Sequence, residues 1–322
     1  MSDSDVKVPV KKAATTAAKP FRGMMPILPT TIDTAGRIDE ASQRRLVQYC
    51  LQNGAAAIGH FGIASEVLKV SDTERRQVSQ VIIAEVAGRV PVFFGVTGAS
   101  NRIAVYNAKL AEQQGANMLM LAPPFNQSPS RQDLYAYYRD VATAVKLPII
   151  IQDGGDPGLM PVELMLRLHA ELENAQYIKS EALEFLRKSA ELIRDSGGQV
   201  PIIGGFGGKH MIHLLRMGVT AFMTGTECLD LHYAVVATYL AGDVDKAVRL
   251  HDEKMLPYLA FYLEYPHQLL KQMLHRRGVI DCPLELPPGS RPMSPADQQA
   301  FDWVFHRTGL DSRWPQIRWQ NW

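Results

Sequence analysis

The stretch that decides the fold runs from Leu147 to Ala182, LPIIIQDGGDPGLMPVELMLRLHAELENAQYIKSEA. It opens on LPIIIQD and closes on AQYIKS, two short runs apolar on successive residues. Strands of that kind belong to a parallel sheet covered on both faces. Between them VELMLRLHAE repeats its apolar residues at helical spacing, so the whole reads as one strand–helix–strand unit. A parallel pair needs such a crossover.

Working outward, the same unit recurs. MMPILPT (24–30), AAAIGHF (55–61), VPVFFGV (90–96), ANMLMLA (116–122), VPIIGGF (200–206) and VTAFMTG (219–225) bring the strand runs to eight. The intervening segments carry helix signals. Leu46, Val47, Cys50 and Leu51 share a face before Asn53–Gly54, Ser71-Asp-Thr-Glu74 forms a capping box, and Asn101–Gln114 stops at Gly115. Eight strand–helix units at this length predict an α/β TIM barrel over residues 21–243. A doubly wound sheet would need G-x-G-x-x-G after its first strand, and PILPTTIDTAG lacks it. Beyond residue 243 strand runs cease, and DVDKAVRLHDEKMLPYLAFYL, HQLLKQMLHRRG and SPADQQAFDWVFHRTG predict a C-terminal helical region, 244–322, the last helix capped by Ser294, Pro295 and Asp297. The Trp- and Arg-rich end, DSRWPQIRWQNW, is expected to pack on its own domain or on a neighbouring subunit.

Composition narrows the function classes. The 322 residues are 46% apolar, enough for a large core, and carry a net charge of +1 with no long charged block beyond the N-terminal tail. Neither nucleic acid nor an anionic membrane is implied as partner, and a small molecule is the default. No apolar run reaches spanning length. Cys50, Cys228 and Cys282 lack metal-type spacing and read as structural thiols of a reducing, cytoplasmic compartment. Residues 1–20 have no secretory core and read as a disordered tail.

In a barrel of this kind chemistry sits at the C-terminal strand ends. Here those ends are GHFGIASE, IIIQDGGD, YIKSE and IIGGFGGKH. Lys179 would point into the mouth, where desolvation favours the neutral amine that attacks a carbonyl. A snorkelling surface lysine is the bland alternative. The loop Gly62–Glu66 could offer backbone N–H groups and the Ser65 hydroxyl to a carboxylate. Glu181, two residues past Lys179, shares its strand face and is a candidate acid or base, against a solvated helix-start carboxylate. His60 reads as a satisfied core histidine. His210 and His213 have metal-compatible spacing but no accompanying Cys or carboxylate, so no metal is inferred.

GIASEVLKVSDTER, YIKSEA at its spacing about 115 residues on, PILPTTID and LPIIIQD together resemble the dihydrodipicolinate synthase and N-acetylneuraminate lyase superfamily over about residues 23–310. The resemblance implies a tetrameric TIM barrel whose strand-six lysine, here Lys179, forms a Schiff base with pyruvate or another 2-keto acid and needs no other cofactor. It places Gly62, Ile63, Ala64, Ser65 and Glu66 on the carboxylate-binding loop, with Ile63 and Ala64 standing where the family has threonines. Gln152 stands where synthases and lyases have a proton-relaying tyrosine, and an amide cannot act as acid or base. The synthases' arginine for a second carboxylate has no counterpart in DGGDPGL. QD after strand five, K-x-E on strand six, the S-E pair and MTG after strand eight are similar to the 2-keto-3-deoxy-sugar-acid dehydratases, such as those acting on L-2-keto-3-deoxyarabonate. That implies Lys179 as nucleophile and electron sink, Glu181 as acid or base, Ser65 or Glu66 assisting a departing hydroxyl, and Gln152 bonding the substrate. Gly204 and Gly205 would admit backbone to the ligand, and Phe125 takes the place of an aromatic that closes the site. A pyruvate-dependent aldolase or synthase is the rival reading. A sugar-acid-binding protein without turnover is a weaker one, because binding alone does not need an amine.

Overall fold

The computed structural model describes residues 20–154, 160–182 and 184–322; the tail expected over residues 1–20 and most of DGGDPGL fall outside them, apart from residues 20, 153 and 154. Eight parallel strands follow one another around a single sheet: β1 (Gly23–Met24), β2 (Ile58–His60), β3 (Val92–Gly95), β4 (Met118–Leu121), β5 (Ile149–Gln152), β6 (Ala175–Ser180), β7 (Ile202–Gly204) and β8 (Ala221–Phe222). β8 pairs with β1, and parallel bridges Met24–Ala55 and Ile27–Gly59 join the first strand segment to the second. The sheet therefore closes, and the fold is the TIM barrel that the eight runs predict.

Alternation along each strand divides the core in two. Met25, Ile27, Phe93, Met120, Ile150, Tyr177 and Ile203 fill the barrel, while their neighbours Phe94, Leu121, Ile151 and Ile178 face the helices. The inner plug is what lifts the site: with the interior filled, a ligand has room only above it.

The surrounding helices are α1 (Glu40–Gln52), α2 (Asp72–Val86), α3 (Asn101–Gln113), α4 (Arg131–Ala144), α5 (Val162–Glu171), α6 (Phe185–Asp195), α7 (Met211–Arg216) and α8 (Leu229–Leu240). Ser71 and Glu74 complete the capping box of α2 reciprocally. Past residue 243 come α9 (Val244–Arg249), α10 (Leu256–Glu264), α11 (Pro266–Arg276) and α12 (Pro295–Arg307). The single helix expected across residues 243–263 widens into a π turn over Leu250–Met255, next to Pro257, whose nitrogen cannot donate to the carbonyl four residues back. α12 carries the Ser294–Asp297 capping box. The C-terminal Trp322 donates its indole N–H to Asp230 at 2.8 Å, so the tryptophan-rich end packs on its own barrel. Among the described residues no helix is long and apolar enough to cross a membrane.

Candidate active site

Lys179 stands near the C-terminal end of β6, opposite Gln152 of β5 and Ile203 of β7. Tyr177, one inward position earlier, belongs to the barrel plug. Lys179 thus rises from an apolar floor and is 6% exposed. Its surroundings are not apolar throughout: Nζ lies 2.9 Å from Glu181 Oε2. The other Glu181 oxygen accepts from the Gln152 amide, and the Phe206 N–H approaches Oε2 at 3.5 Å. Sequence adjacency on one strand face, Lys179 to Glu181, thereby becomes a Lys–Glu–Gln chain.

Two glycines make room for it. A Cβ on Gly205 would lie 2.6 Å from Glu181 Cβ and 3.2 Å from Lys179 Cε, and one on Gly154 would lie 3.0 Å from Glu181 Oε1. Asp153 fixes the strand exit by accepting the N–H groups of Glu181 and Ala182 at 2.7 and 3.0 Å. Burial pushes its carboxyl up, against the pull of those two bonds.

Above the lysine opens a cavity of about 370 Å³, a size suited to a small ligand. Gly62, Ile63, Ala64, Gln152, Lys179 and Glu181 lie on its wall, so the structure brings together six of the residues expected from sequence. Gly205 sits directly behind the Lys179–Glu181 pair. A larger cleft of about 750 Å³ between α4 and α5, lined by Arg131, Arg139 and Arg167, lies away from the barrel mouth.

Four expected residues turn elsewhere. The Ser65 hydroxyl donates to Leu28 O at 2.6 Å and is fully buried, tying the loop to the first strand segment. Glu66 adopts the left-handed conformation, φ 55°, and its side chain points away from the cavity. It pairs with Lys271 at 2.6 Å and Lys69 at 3.1 Å and accepts the Leu286 N–H at 2.8 Å. Neither is placed to assist a departing hydroxyl. A Cβ on Gly204 would meet Leu214 and Phe222 at 2.7 and 2.8 Å, so that glycine serves packing between β7 and the outer layer. Phe125 packs against the outer core and does not line the cavity.

Other groups on the wall were not among the residues expected from sequence. Tyr262 of α10 and Pro266 and His267 of α11 come from the C-terminal helices, and Thr224 and Gly225 follow β8. His267 Nε2 lies 2.8 Å from Ile63 O, strapping the Gly62–Glu66 loop from above. Burial, with the charges of Glu227 and Glu181, pushes the Tyr262 phenol well above its usual range, so its proton stays on. MTG, residues 223–225, is the sequence signal that could have found Thr224 and Gly225; nothing local marked Tyr262.

The histidines behave as separate cases. His60 is buried, accepts the Phe61 N–H at 2.8 Å on Nδ1, and is driven down to about 3 by burial, as a neutral core histidine. His210 and His213, at the start of α7 and within it, lie with ring centroids 5.9 Å apart and tilted by 48°. Glu227, Cys228 and His232 bring potential ligand atoms within 4.8 Å of one another, but both His232 nitrogens are engaged, Nδ1 with Thr224 Oγ1 at 3.0 Å and Nε2 with Tyr258 OH at 2.6 Å. All three cysteines are buried and unpaired by disulfides.

Comparison with known proteins agrees with this fold. The dihydrodipicolinate synthetase family profile matches residues 20–304. An L-2-keto-3-deoxyarabonate dehydratase of Azospirillum brasilense is 32% identical over 233 residues, 70% of this chain and 75% of that protein. A 4-hydroxy-tetrahydrodipicolinate synthase of Pelobacter propionicus is 30% identical over 271 residues, 83% and 92% of the two chains. The crystal structure of dihydrodipicolinate synthase from Thermotoga maritima superposes with a TM-score of 0.81 at 25% identity, covering 91% of this chain and all of that one.

Proposed function

The chain belongs to the dihydrodipicolinate synthetase family, whose lyases work through a Schiff-base lysine with pyruvate and without a metal or other cofactor, and from that premise we propose that it dehydrates a short 2-keto-3-deoxy sugar acid, L-2-keto-3-deoxyarabonate or a close relative. Lys179 is the nucleophile. Its proton passes to Glu181, 2.9 Å away, and the neutral amine attacks the C2 carbonyl. Glu181 returns that proton to the carbinolamine hydroxyl, and loss of water gives an iminium that draws electrons from C3. Glu181, ionised again, then takes a C3 proton, the enamine pushes out the C4 hydroxyl, which takes up a proton as it goes and leaves as water, and hydrolysis of the unsaturated imine frees Lys179. Gly62, Ile63 and Ala64 offer backbone N–H groups to the substrate carboxylate, with the two apolar side chains in place of hydroxyls.

One observation carries elimination over aldol cleavage: the group that meets Glu181 at the end of β5 is the amide of Gln152. Cleavage needs a base on the C4 hydroxyl, and an amide is none. Tyr262, the phenol that does reach the cavity, holds its proton too tightly to serve as that base. The dehydratase relative supports the same choice. The rival, a pyruvate-dependent aldolase or synthase, draws on the synthase relatives and predicts a different product.

The test is incubation with 2-keto-3-deoxy acids, scoring water loss against pyruvate release. Water loss is expected. Pyruvate with an aldehyde would move the assignment to the aldolase. A cytoplasmic homotetramer is part of the same proposal, and sedimentation of the full chain at four times the 35.8 kDa protomer mass is the expected result.

A further inference from the structure

Beneath the cavity wall lies a buried polar chain that the mechanism above does not use. Thr224, on the wall, has Oγ1 3.0 Å from His232 Nδ1. His232 Nε2 is 2.6 Å from Tyr258 OH, and that hydroxyl is 3.4 Å from Glu227 Oε1. His232, Tyr258 and Glu227 are entirely buried. The other Glu227 oxygen, Oε2, has no hydrogen-bond partner and sits behind Gly225, itself on the wall; a Cβ there would come within 2.2 Å of it.

An orphaned carboxylate oxygen is costly, whereas the carbonyl oxygen of a neutral acid is less so. A protonated Glu227 therefore suits the site, donating to Tyr258, which donates to His232 Nε2, while His232 Nδ1–H donates to Thr224, which donates to Gly225 O at 3.0 Å. With Glu227 ionised every bond of the chain from Tyr258 to Thr224 reverses. Each hydroxyl and the imidazole can both give and take a proton, so both directions are complete. The groups facing Glu227 are Arg277 of α11, whose Nη1 donates to Glu227 O at 3.0 Å, Tyr258 and Tyr262 of α10, and Cys228 and His232 beside it. Burial outweighs them and pushes the Glu227 carboxyl up to about 7.

We infer that Thr224, His232, Tyr258 and Glu227 form a reversible proton wire that holds at Glu227 the proton given to the hydroxyl leaving the substrate. The inference rests on the dehydration reading. Glu227 gives its proton to the Tyr258 oxygen, Tyr258 to His232 Nε2, His232 Nδ1 to Thr224, and Thr224 to the C4 oxygen as the C4–O bond breaks with its electron pair on oxygen. The C3 proton goes to Glu181, which releases it to water when product leaves. A proton from that water runs the four transfers backwards and refills Glu227. Glu227 and Tyr258 act through Thr224 and are positioning residues.

The experiment uses the full chain and two isosteric variants. Glu227→Gln lowers kcat about 100-fold or more, with KM within about threefold, and borohydride trapping of pyruvate stays at the wild-type yield. Tyr258→Phe, which leaves the carboxyl in place, causes a similar loss, and the double variant falls no further, as links of one wire must. Wild-type kcat declines above a pH of about 7, and E227Q lacks that decline. An unchanged kcat in E227Q, or losses that multiply in the double variant, overturns the wire. Failure of the dehydration reading looks different: the wild type traps pyruvate but releases pyruvate from its substrate. In that case no hydroxyl leaves the substrate, and the wire falls with the dehydration reading.

Discussion

Two buried lysine–glutamate pairs lie within the same barrel mouth, and they serve different ends. Lys271 and Glu66, at 2.6 Å, have side chains 1% and 0% exposed. Lys271 also donates to Leu284 O at 2.8 Å, and Lys69 and the Leu286 N–H take up the rest of the Glu66 carboxylate. Burial pushes the Lys271 ammonium down, against the pull of Glu66. That pair clamps the loop to the C-terminal helices and meets no free space. Lys179 and Glu181, at 2.9 Å, are 7% and 19% exposed and face a cavity of about 370 Å³. Burial and pairing are common to both. What distinguishes the pair proposed to react is room on one side and glycine behind it.

Breaking each pair separates the two roles. Lys179→Ala removes the nucleophile, and kcat falls on the order of 10⁴-fold or more with stability nearly intact; a turnover assay beside a thermal melt reads both. Glu66→Gln leaves Lys271 buried without its counter-charge and costs about 3–5 kcal/mol of stability. Urea melts measure that loss, and pyruvate trapping persists in the folded fraction. A stable E66Q without trapping would mean that Glu66 belongs to the site. Gly205→Ala drives a methyl into Glu181 and Lys179, and the displaced pair loses about 10²-fold in kcat, while the corresponding substitution at Gly204 acts through packing and shows in the melt.

The smallest effect sharpens the electrostatic side of the comparison. His60 and His232 remain neutral in the fold down to about 3, whereas in the unfolded chain they protonate below about 6.5. Their contribution is lost as pH falls through that interval. Glu227 stays protonated up to about 7 in the fold and ionises above about 4.3 when unfolded, so its contribution is lost as pH rises. Between about 4.5 and 6.5 the glutamate offsets one histidine. E227Q removes that offset and steepens the acid-side loss by about 1.4 kcal/mol per pH unit. Urea melts of both proteins at two pH values inside the window decide it; parallel slopes would contradict a protonated Glu227.

The eight-strand barrel and the position of Lys179 were legible because both follow local rules: apolar runs at regular intervals, and a polar residue where a strand meets the mouth. Glu181 followed from the two-residue strand period. The loop was legible only in part. GIASE marks a turn, but the left-handed Glu66 reverses the chain there, and which side chains then face inward depends on Leu28, Lys271 and Leu286, distant in sequence. Tyr262 and the Glu227 chain were hidden for the same reason. Their partners come from helices folded across the mouth from beyond residue 250, and no local pattern reports such a meeting.

The central claim is that Lys179, and not the more deeply buried Lys271, is the amine that reacts. Incubation with pyruvate, reduction with borohydride and peptide mass mapping test it in one measurement. One reduced pyruvyl adduct on Lys179, absent from K179A and with Lys271 unmodified, is the predicted result. An adduct elsewhere, or no adduct with any 2-keto acid, would contradict it.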